Sequence, residues 1–148
     1  MMKYFAYGSN MDLVQMKKRC LDSKLIGAAR LEHHRLDFTR YSPGWGCGVA
    51  DVIKDPQQEV WGLLFSISEI DLTALDNYEG YPTCYTRKNV NVLCDGEIFK
   101  DVIVYYVVRK ENFQNPNKKY KKILLDTSIN FCFPNGYHVY LKLLFNQK

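Results

Sequence analysis

Apolar and polar positions fall into two regimes along the chain. As far as Val108 they follow strand-like patterns, broken by two short helical stretches, and beyond Asn115-Pro116-Asn117 the period becomes helical. Tyr4-Phe5-Ala6-Tyr7 reads as a short aromatic strand that Gly8 interrupts. Ser9 followed by Asp12 has the Ser-x-x-Asp form of a capping box, predicting a helix from Asn10 or Met11. Lys17, Lys18 and Arg19 close that helix, where cations face the negative end of its dipole. Lys24 to Phe38 reads as extended, and Gly44-Trp45-Gly46-Cys47-Gly48 as a flexible stretch leading into a strand over Val49 to Ile53. Lys54-Asp55-Pro56 supplies the turn out of that strand, and Val60 to Phe65 is a nearly continuous apolar run of the kind a buried strand carries.

Ser68 with Asp71 predicts a second capped helix, with Ile67 placed to staple onto Leu72 and an end near Gly80 before Pro82. Tyr85 to Leu93 and Val102 to Val108 read as strands, with Asp95-Gly96 as the turn signal between them. Tyr120, Ile123, Leu124, Thr127 and Phe131 share one helical face, Pro134-Asn135-Gly136 ends that segment, and Tyr137, Tyr140, Leu141 and Leu144 mark a last amphipathic helix. Strands first and helices last, with no repeated β-α unit, predict an α+β fold: a strongly curved sheet or barrel with helices around it.

Length predicts a single domain over residues 1–148. With 47% hydrophobic and 24% charged residues, the chain can build a core and is not of the disordered class. Five cysteines, widely spaced and without a C-x-x-C pair, argue against a disulfide framework or a structural zinc site. No stretch has the length of a spanning helix or the apolar core of a signal peptide, so a reduced, cytoplasmic setting is expected. The net charge of +4 is modest, and the basic run Lys118 to Lys122 reads as a solvated helix face rather than a nucleic-acid contact.

Two constellations carry chemistry. At the junction Tyr7-Gly8-Ser9-Asn10, the start of a helix would leave backbone N–H groups free to meet a carboxylate or a developing oxyanion. In Leu75-Asp76-Asn77-Tyr78-Glu79-Gly80-Tyr81-Pro82, Glu79 stands at a helix C-terminus between Tyr78 and Tyr81, with Tyr85 shortly after. Both the dipole and partial burial there oppose ionisation, as a general base working near neutrality requires. Other groupings fail. His33 and His34 are adjacent on a strand and point to opposite faces, which does not suit a shared metal. Gly44-x-Gly46-x-Gly48 precedes a strand where a dinucleotide fingerprint would precede a helix, and is read as loop near the pocket.

Tyr4-Phe5-Ala6-Tyr7-Gly8-Ser9-Asn10-Met11 resembles the signature of the γ-glutamylcyclotransferase family. Glu79-Gly80 followed by Tyr85 resembles its second motif, and Val60-Trp61-Gly62 and Pro116-x-x-x-Tyr120 fit in the same order. The resemblance implies a compact mixed barrel with surrounding helices and release of 5-oxoproline from γ-glutamyl amines, without metal or other cofactor. It maps the catalytic base onto Glu79 and substrate contacts onto Tyr4, Phe5, Ala6, Tyr7, Gly8, Ser9, Asn10, Tyr85 and Tyr120. Where many relatives carry Gly-Ala and then Gly-Leu-Pro, this chain has Thr127-Ser128 and Cys132-Phe133-Pro134, a departure expected to bear on the pocket wall. Asn10 after Gly-Ser tells against glutathione itself as the substrate, leaving γ-glutamyl amino acids or other γ-glutamyl amines. The partner is then a small molecule, with no nucleic acid and no membrane. The alternative of a non-catalytic binding module of the same fold would have no need of Glu79.

Overall fold

The computed structural model describes residues 1–147. Five strands, β1 (Met2–Ala6), β2 (Lys24–Ser42), β3 (Cys47–Ile67), β4 (Tyr85–Cys94) and β5 (Glu97–Val107), close into a barrel in the order β1-β3-β2-β4-β5. Four helices pack around it: α1 (Leu13–Arg19), α2 (Glu69–Glu79), α3 (Lys118–Asn130) and α4 (Asn135–Phe145). This is the α+β barrel that the sequence predicts. No helix among the described residues is long and apolar enough to cross a membrane.

β2 and β3 form one long hairpin whose ladder runs from Lys24↔Ser66 to Ser42↔Cys47. Strands of this length wrap a small barrel only if they bend, and register shifts at Leu25/Gly27, Glu32/His34 and Phe38/Arg40 supply the bends. The middle shift revises the turn expected at Lys54-Asp55-Pro56. Glu32 pairs Glu59 and His34 pairs Lys54, so residues 55–58 swell out of the ladder opposite His33 while β3 continues beyond them. Proline cannot donate to a ladder, and here it sits in the bulge, where no donor is needed. The apolar residues on either side, Val52 and Val60, keep the strand paired with β2 across the interruption.

The second helix forms as its sequence predicts. Ser68 Oγ accepts from Asp71 N–H, Asp71 Oδ2 accepts from Ser68 N–H, and Gly80 closes the helix in the left-handed conformation at φ 65°. The first helix does not. Gly8 to Asp12 winds through a single 3-10 turn (Ser9–Met11), and the N-cap of α1 is Asp12, whose Oδ1 accepts from the N–H groups of Val14 at 3.1 Å and Gln15 at 3.3 Å. Ser9 Oγ accepts instead from the Gln15 side chain. The Ser-x-x-Asp spacing holds two capping residues, and the one adjacent to the helical run wins.

The segment between β5 and α3 seals the end of the β2/β3 hairpin. Glu111 N–H donates to Thr39 O, Gln114 N–H to Phe38 O, and Gly48 N–H to Asn115 O at 3.0 Å. Beneath it lies the fully buried Asp51, which accepts from Thr39 Oγ1, Val107 N–H and Lys110 Nζ. Phe38 meets Phe113, Tyr120 and Phe145 edge-on, so β2, the crossing segment, α3 and α4 share one aromatic centre.

Gly48 is where the crossing chain passes closest: a Cβ there would lie 1.8 Å from the Gln114 carbonyl oxygen. Gly48→Ala is expected to lower stability by roughly 1–3 kcal/mol or more. The expected reading is a lower urea midpoint at unchanged m-value.

Candidate active site

β1 leaves the barrel at the end where β4 begins and β5 finishes, and a cavity of about 540 Å³ opens there. Its wall comes from the Tyr7 to Asn10 loop, the C-terminus of α2, the β2/β3 hairpin towards its tip, α1, the first turn of α3, and the strands β1, β4 and β5. Tyr4, Tyr7, Gly8, Ser9, Asn10, Glu79, Tyr85 and Tyr120 all line it, so residues scattered over more than a hundred positions converge on one space. Phe5 and Ala6 do not. Phe5 is fully buried and Ala6 nearly so, because the middle of β1 packs into the core between β3 and β5. The hairpin-tip residues Gly44 and Trp45 do reach the cavity. Thr127, Ser128 and Phe133 lie away from it: Thr127 and Ser128 bond back within α3, and Phe133 packs on Trp61 and Tyr137. The departures after Tyr120 therefore belong to helix packing and not to the wall.

Among the described residues, Glu79 is the only carboxylate lining the cavity. Its carboxyl makes no hydrogen bond or ion pair within the protein among the described residues, and faces a space ringed by tyrosines. Enclosure by protein raises its pKa from the ordinary carboxylate value to about 7, with Arg19 and Arg40 pulling in the opposite direction. Glu79 keeps a partly accessible surface, which is the cavity side, so it can change protonation in place.

The tyrosines divide by where their protons go. Tyr4, Tyr7, Tyr85, Tyr105 and Tyr120 all have raised pKa values, first through burial and also through the nearby Glu79 charge, so all remain neutral donors. Tyr7 donates to Tyr105 O at 2.7 Å, Tyr85 to Ala50 O at 2.6 Å, and Tyr105 to Asp76 Oδ1 at 2.6 Å. Those three are structural ties. Tyr4 and Tyr120 are different: Tyr4 Oη accepts from Asn10 Nδ2 at 3.0 Å, and Tyr120 Oη accepts from Ala50 N–H at 3.1 Å. With its oxygen held by a donor and no protein acceptor for its proton, each hydroxyl is left to donate into the cavity.

The loop is held by a similar chain of contacts. Asn10 Oδ1 accepts from Gln15 Nε2 at 3.1 Å and Arg19 Nη1 at 3.0 Å, and the Arg19 guanidinium lies 4.3 Å from the Tyr78 ring centroid. Arg19, which the sequence assigns to a helix end, thus fixes the loop and the end of α2 together. Met11 and Asp12 spend their N–H groups on Gly8 and Ser9 carbonyls. Ser9 and Asn10 keep theirs out of the backbone ladder, Ser9's facing the Tyr120 hydroxyl. The free donors that the sequence places at a helix start therefore come from a 3-10 turn, without the dipole of α1 behind them.

One turn before Glu79, Asp76 accepts a two-pronged contact from Arg87 at 2.9 and 3.2 Å as well as the Tyr105 proton. This ties the C-terminus of α2 to β4 and β5 and sets where Glu79 stands. Asp76, Gln15, Arg19, Arg40 and Tyr105 are the residues that sequence reasoning left out of the site. Only Asp76 carried a signal, its i, i+3 relation to Glu79 on one helix face.

The family model for gamma-glutamyl cyclotransferase, AIG2-like, matches residues 4–124. The mouse (Mus musculus) gamma-glutamylcyclotransferase is 25% identical over 154 residues, covering 95% of this chain and 77% of its own length. The human (Homo sapiens) one is 30% identical over 126 residues, covering 82% of this chain and 66% of its own. A solved gamma-glutamyl cyclotransferase structure superposes with a TM-score of 0.86 at 28% identity, covering 95% of this chain and 86% of that one. A barrel with this strand order, a matching family model over most of its length and relatives of one name agree: the chain belongs to the gamma-glutamyl cyclotransferase, AIG2-like family.

Proposed function

We propose that this protein cleaves γ-glutamyl amides by cyclisation, releasing 5-oxoproline and a free amine, with Glu79 as the general base. The observation that carries this reading is the unbonded carboxyl of Glu79, with a pKa of about 7, facing a cavity that Ser9 and Asn10 of the loop also line.

The reaction supplies its own proximity. The α-amine and the γ-carbonyl carbon belong to one five-membered ring, so the cavity has only to select the folded rotamer. Glu79 takes a proton from the α-ammonium. The freed nitrogen pair forms the bond to the γ-carbonyl carbon, and the carbonyl electrons move to oxygen. That oxyanion is met by the hydroxyl protons of Tyr4 or Tyr120 or by the loop N–H groups. Glu79 returns the proton to the amide nitrogen and takes a second one from the ring nitrogen, which is left positively charged by the attack. The bond from carbonyl carbon to the amide nitrogen breaks, the carbonyl re-forms in 5-oxoproline, and the second proton leaves on the freed amine as its ammonium. One carboxyl thus serves as base and then as acid, and a pKa near the working pH suits both steps.

Glu79→Gln keeps the shape and loses the base. Production of 5-oxoproline from a panel of γ-glutamyl compounds should fall at least ~100-fold in that variant, with substrate binding by calorimetry retained. Full activity would remove Glu79 from the mechanism, and no product from the unmodified protein would remove the cyclotransferase reading.

The same carboxyl sets two pH dependences. The base must be ionised, so kcat/KM should rise with pH along an acid limb centred at about 7. Stability runs the other way. The folded pKa lies above the unfolded one, so the folded state holds the extra proton between them. Glu79's contribution to stability is complete below the ordinary carboxylate range and is lost as pH climbs through about 7. Glu79→Gln should therefore melt higher than the parent protein at pH 8 and alongside it at pH 4.

Gly8 tests the loop. A Cβ there would lie 2.6 Å from Tyr120 Oη and 3.2 Å from Ala50 Cβ. Gly8→Ala should displace the Tyr120 hydroxyl and lower kcat by about tenfold or more. The melting temperature should fall as well, since Tyr120 is buried and its hydroxyl accepts from the buried Ala50 N–H.

A further inference from the structure

Among the cavity's cations, one has nothing to do. Arg19 is spent on Asn10 and Tyr78. Outside the cavity, Arg87 is spent on Asp76 and Tyr81, Arg30 on Glu59, and Arg35 on Asp37 and Asp55. Arg40 lines the cavity half-buried, yet has no hydrogen bond, ion pair or aromatic partner among the described residues. It is close enough to Glu79 to lower its pKa but forms no ion pair with it. A half-buried guanidinium with all its donors open to a cavity matches the planar fork of a carboxylate.

Arg40 pairs with Val49 at the base of the β2/β3 hairpin tip, whose Ser42, Gly44 and Trp45 form one rim of the cavity. Lys119, 5.7 Å above the Trp45 ring, adds a second cation on that rim. Among the described residues the rim has no acid, since the one carboxylate in the wall, Glu79, stands on α2.

A γ-glutamyl substrate brings one carboxylate on the carbon that bears the reacting amine. That group lies on the same side of the scissile carbonyl as the amine that Glu79 deprotonates, and the leaving amine is on the other side. Glu79 stands on α2 and Arg40 at the base of the hairpin tip, so the two can face the two ends of the substrate. In an amino-acid leaving group, a second carboxylate stands on the carbon attached to the scissile nitrogen. We infer that Arg40 is the residue that selects substrates by gripping this second carboxylate, so that a leaving amine bearing one is preferred over a plain alkylamine. The inference rests on the cyclotransferase reading and adds to it a residue that reads the leaving group.

L-γ-Glutamyl-L-alanine and L-γ-glutamyl-ethylamide differ by that carboxylate alone. In the unmodified full chain, kcat/KM for 5-oxoproline release should favour the dipeptide by roughly tenfold or more, the factor expected of a charge-assisted contact. Arg40→Met should bring the ratio near unity, with the loss appearing in KM for the dipeptide, and Arg40→Lys should restore part of it. Equal falls on both substrates would move Arg40 to the glutamyl carboxylate and overturn the assignment. A ratio unchanged in Arg40→Met, or absent in the unmodified protein, would also overturn it. Should neither compound yield 5-oxoproline, the cyclotransferase reading fails by itself. The anchor is then read by calorimetry as the ratio of Kd values for the two compounds in the parent and Arg40→Lys proteins, and no difference between the proteins sinks it.

Discussion

The barrel closes through five residues. β1 pairs antiparallel with β3 from Met2↔Ile67 to Ala6↔Leu63 and touches β5 in parallel at Tyr4↔Ile103, so a short strand must satisfy neighbours running in opposite senses. It does so by lying very close to β3. A Cβ at Gly62 would be 2.2 Å from Ala6 O and 2.8 Å from the Phe5 ring, so that position accepts no side chain without separating the strands. Where β1 ends, the chain has no further ladder to follow and turns across the barrel mouth, held by the Tyr7 hydroxyl on Tyr105 O. The cradle is the unpaired continuation of the closing strand, and closing the barrel and placing the cradle are one event.

A site built this way carries a cost. Glu79 stands where protein surrounds it and no donor meets it, while the neighbouring tyrosines satisfy one another and the backbone. Arg19 and Arg40 offset part of the penalty through space without contact, enough to leave the carboxyl titrating near neutrality instead of permanently neutral. The burden is borne nearby. Asp76 ties α2 to β4 and β5 with a two-pronged ion pair, and Asp51 gathers β2, β5 and Lys110 with every contact made in the interior. Destabilised base and over-tied supports lie within the same few elements, as expected where a strained group must be held in place.

Much of this was legible in the sequence because the signals are local. The Ser68/Asp71 box, the Asp95-Gly96 turn with both residues at positive φ, and the α3 face through Tyr120, Leu124 and Thr127 each need only near neighbours. Readings failed where two local signals competed or where a distant partner decided. Ser9 and Asp12 both cap well, and the 3-10 turn chose between them. Asp55-Pro56 is good turn chemistry, but a strand-long pairing with β2 turned it into a bulge. Phe5 and Ala6 sit inside the signature and were grouped with their neighbours, whereas pairing on both sides of β1 draws them into the core. Arg40 had no local mark at all. Its place follows from a register shift at Phe38/Arg40 and from a hairpin tip that bends over a cavity built mostly by other elements.

The cavity therefore has a floor and a rim with different constraints. The floor, Tyr4, Tyr7 to Asn10, Glu79, Tyr85 and Tyr120, is locked by barrel closure, by the Tyr85 and Tyr120 contacts to the two sides of Ala50, and by a Gly8 that cannot gain a methyl group without striking Tyr120. Little can change there without moving the base or the free donors. The rim is carried by the hairpin tip, where a Cβ at Gly44 would meet only the Ser42 hydroxyl, at 3.8 Å. Loops with such freedom absorb substitution without disturbing the scaffold that holds them. Thr127, Ser128 and Phe133 lie in the α3–α4 packing and touch neither part. On the proposed cyclotransferase reading, the division gives reaction chemistry to the elements that close the barrel and selection among leaving groups to the hairpin tip, so selectivity can vary within this architecture while Glu79 and the loop stay where they are.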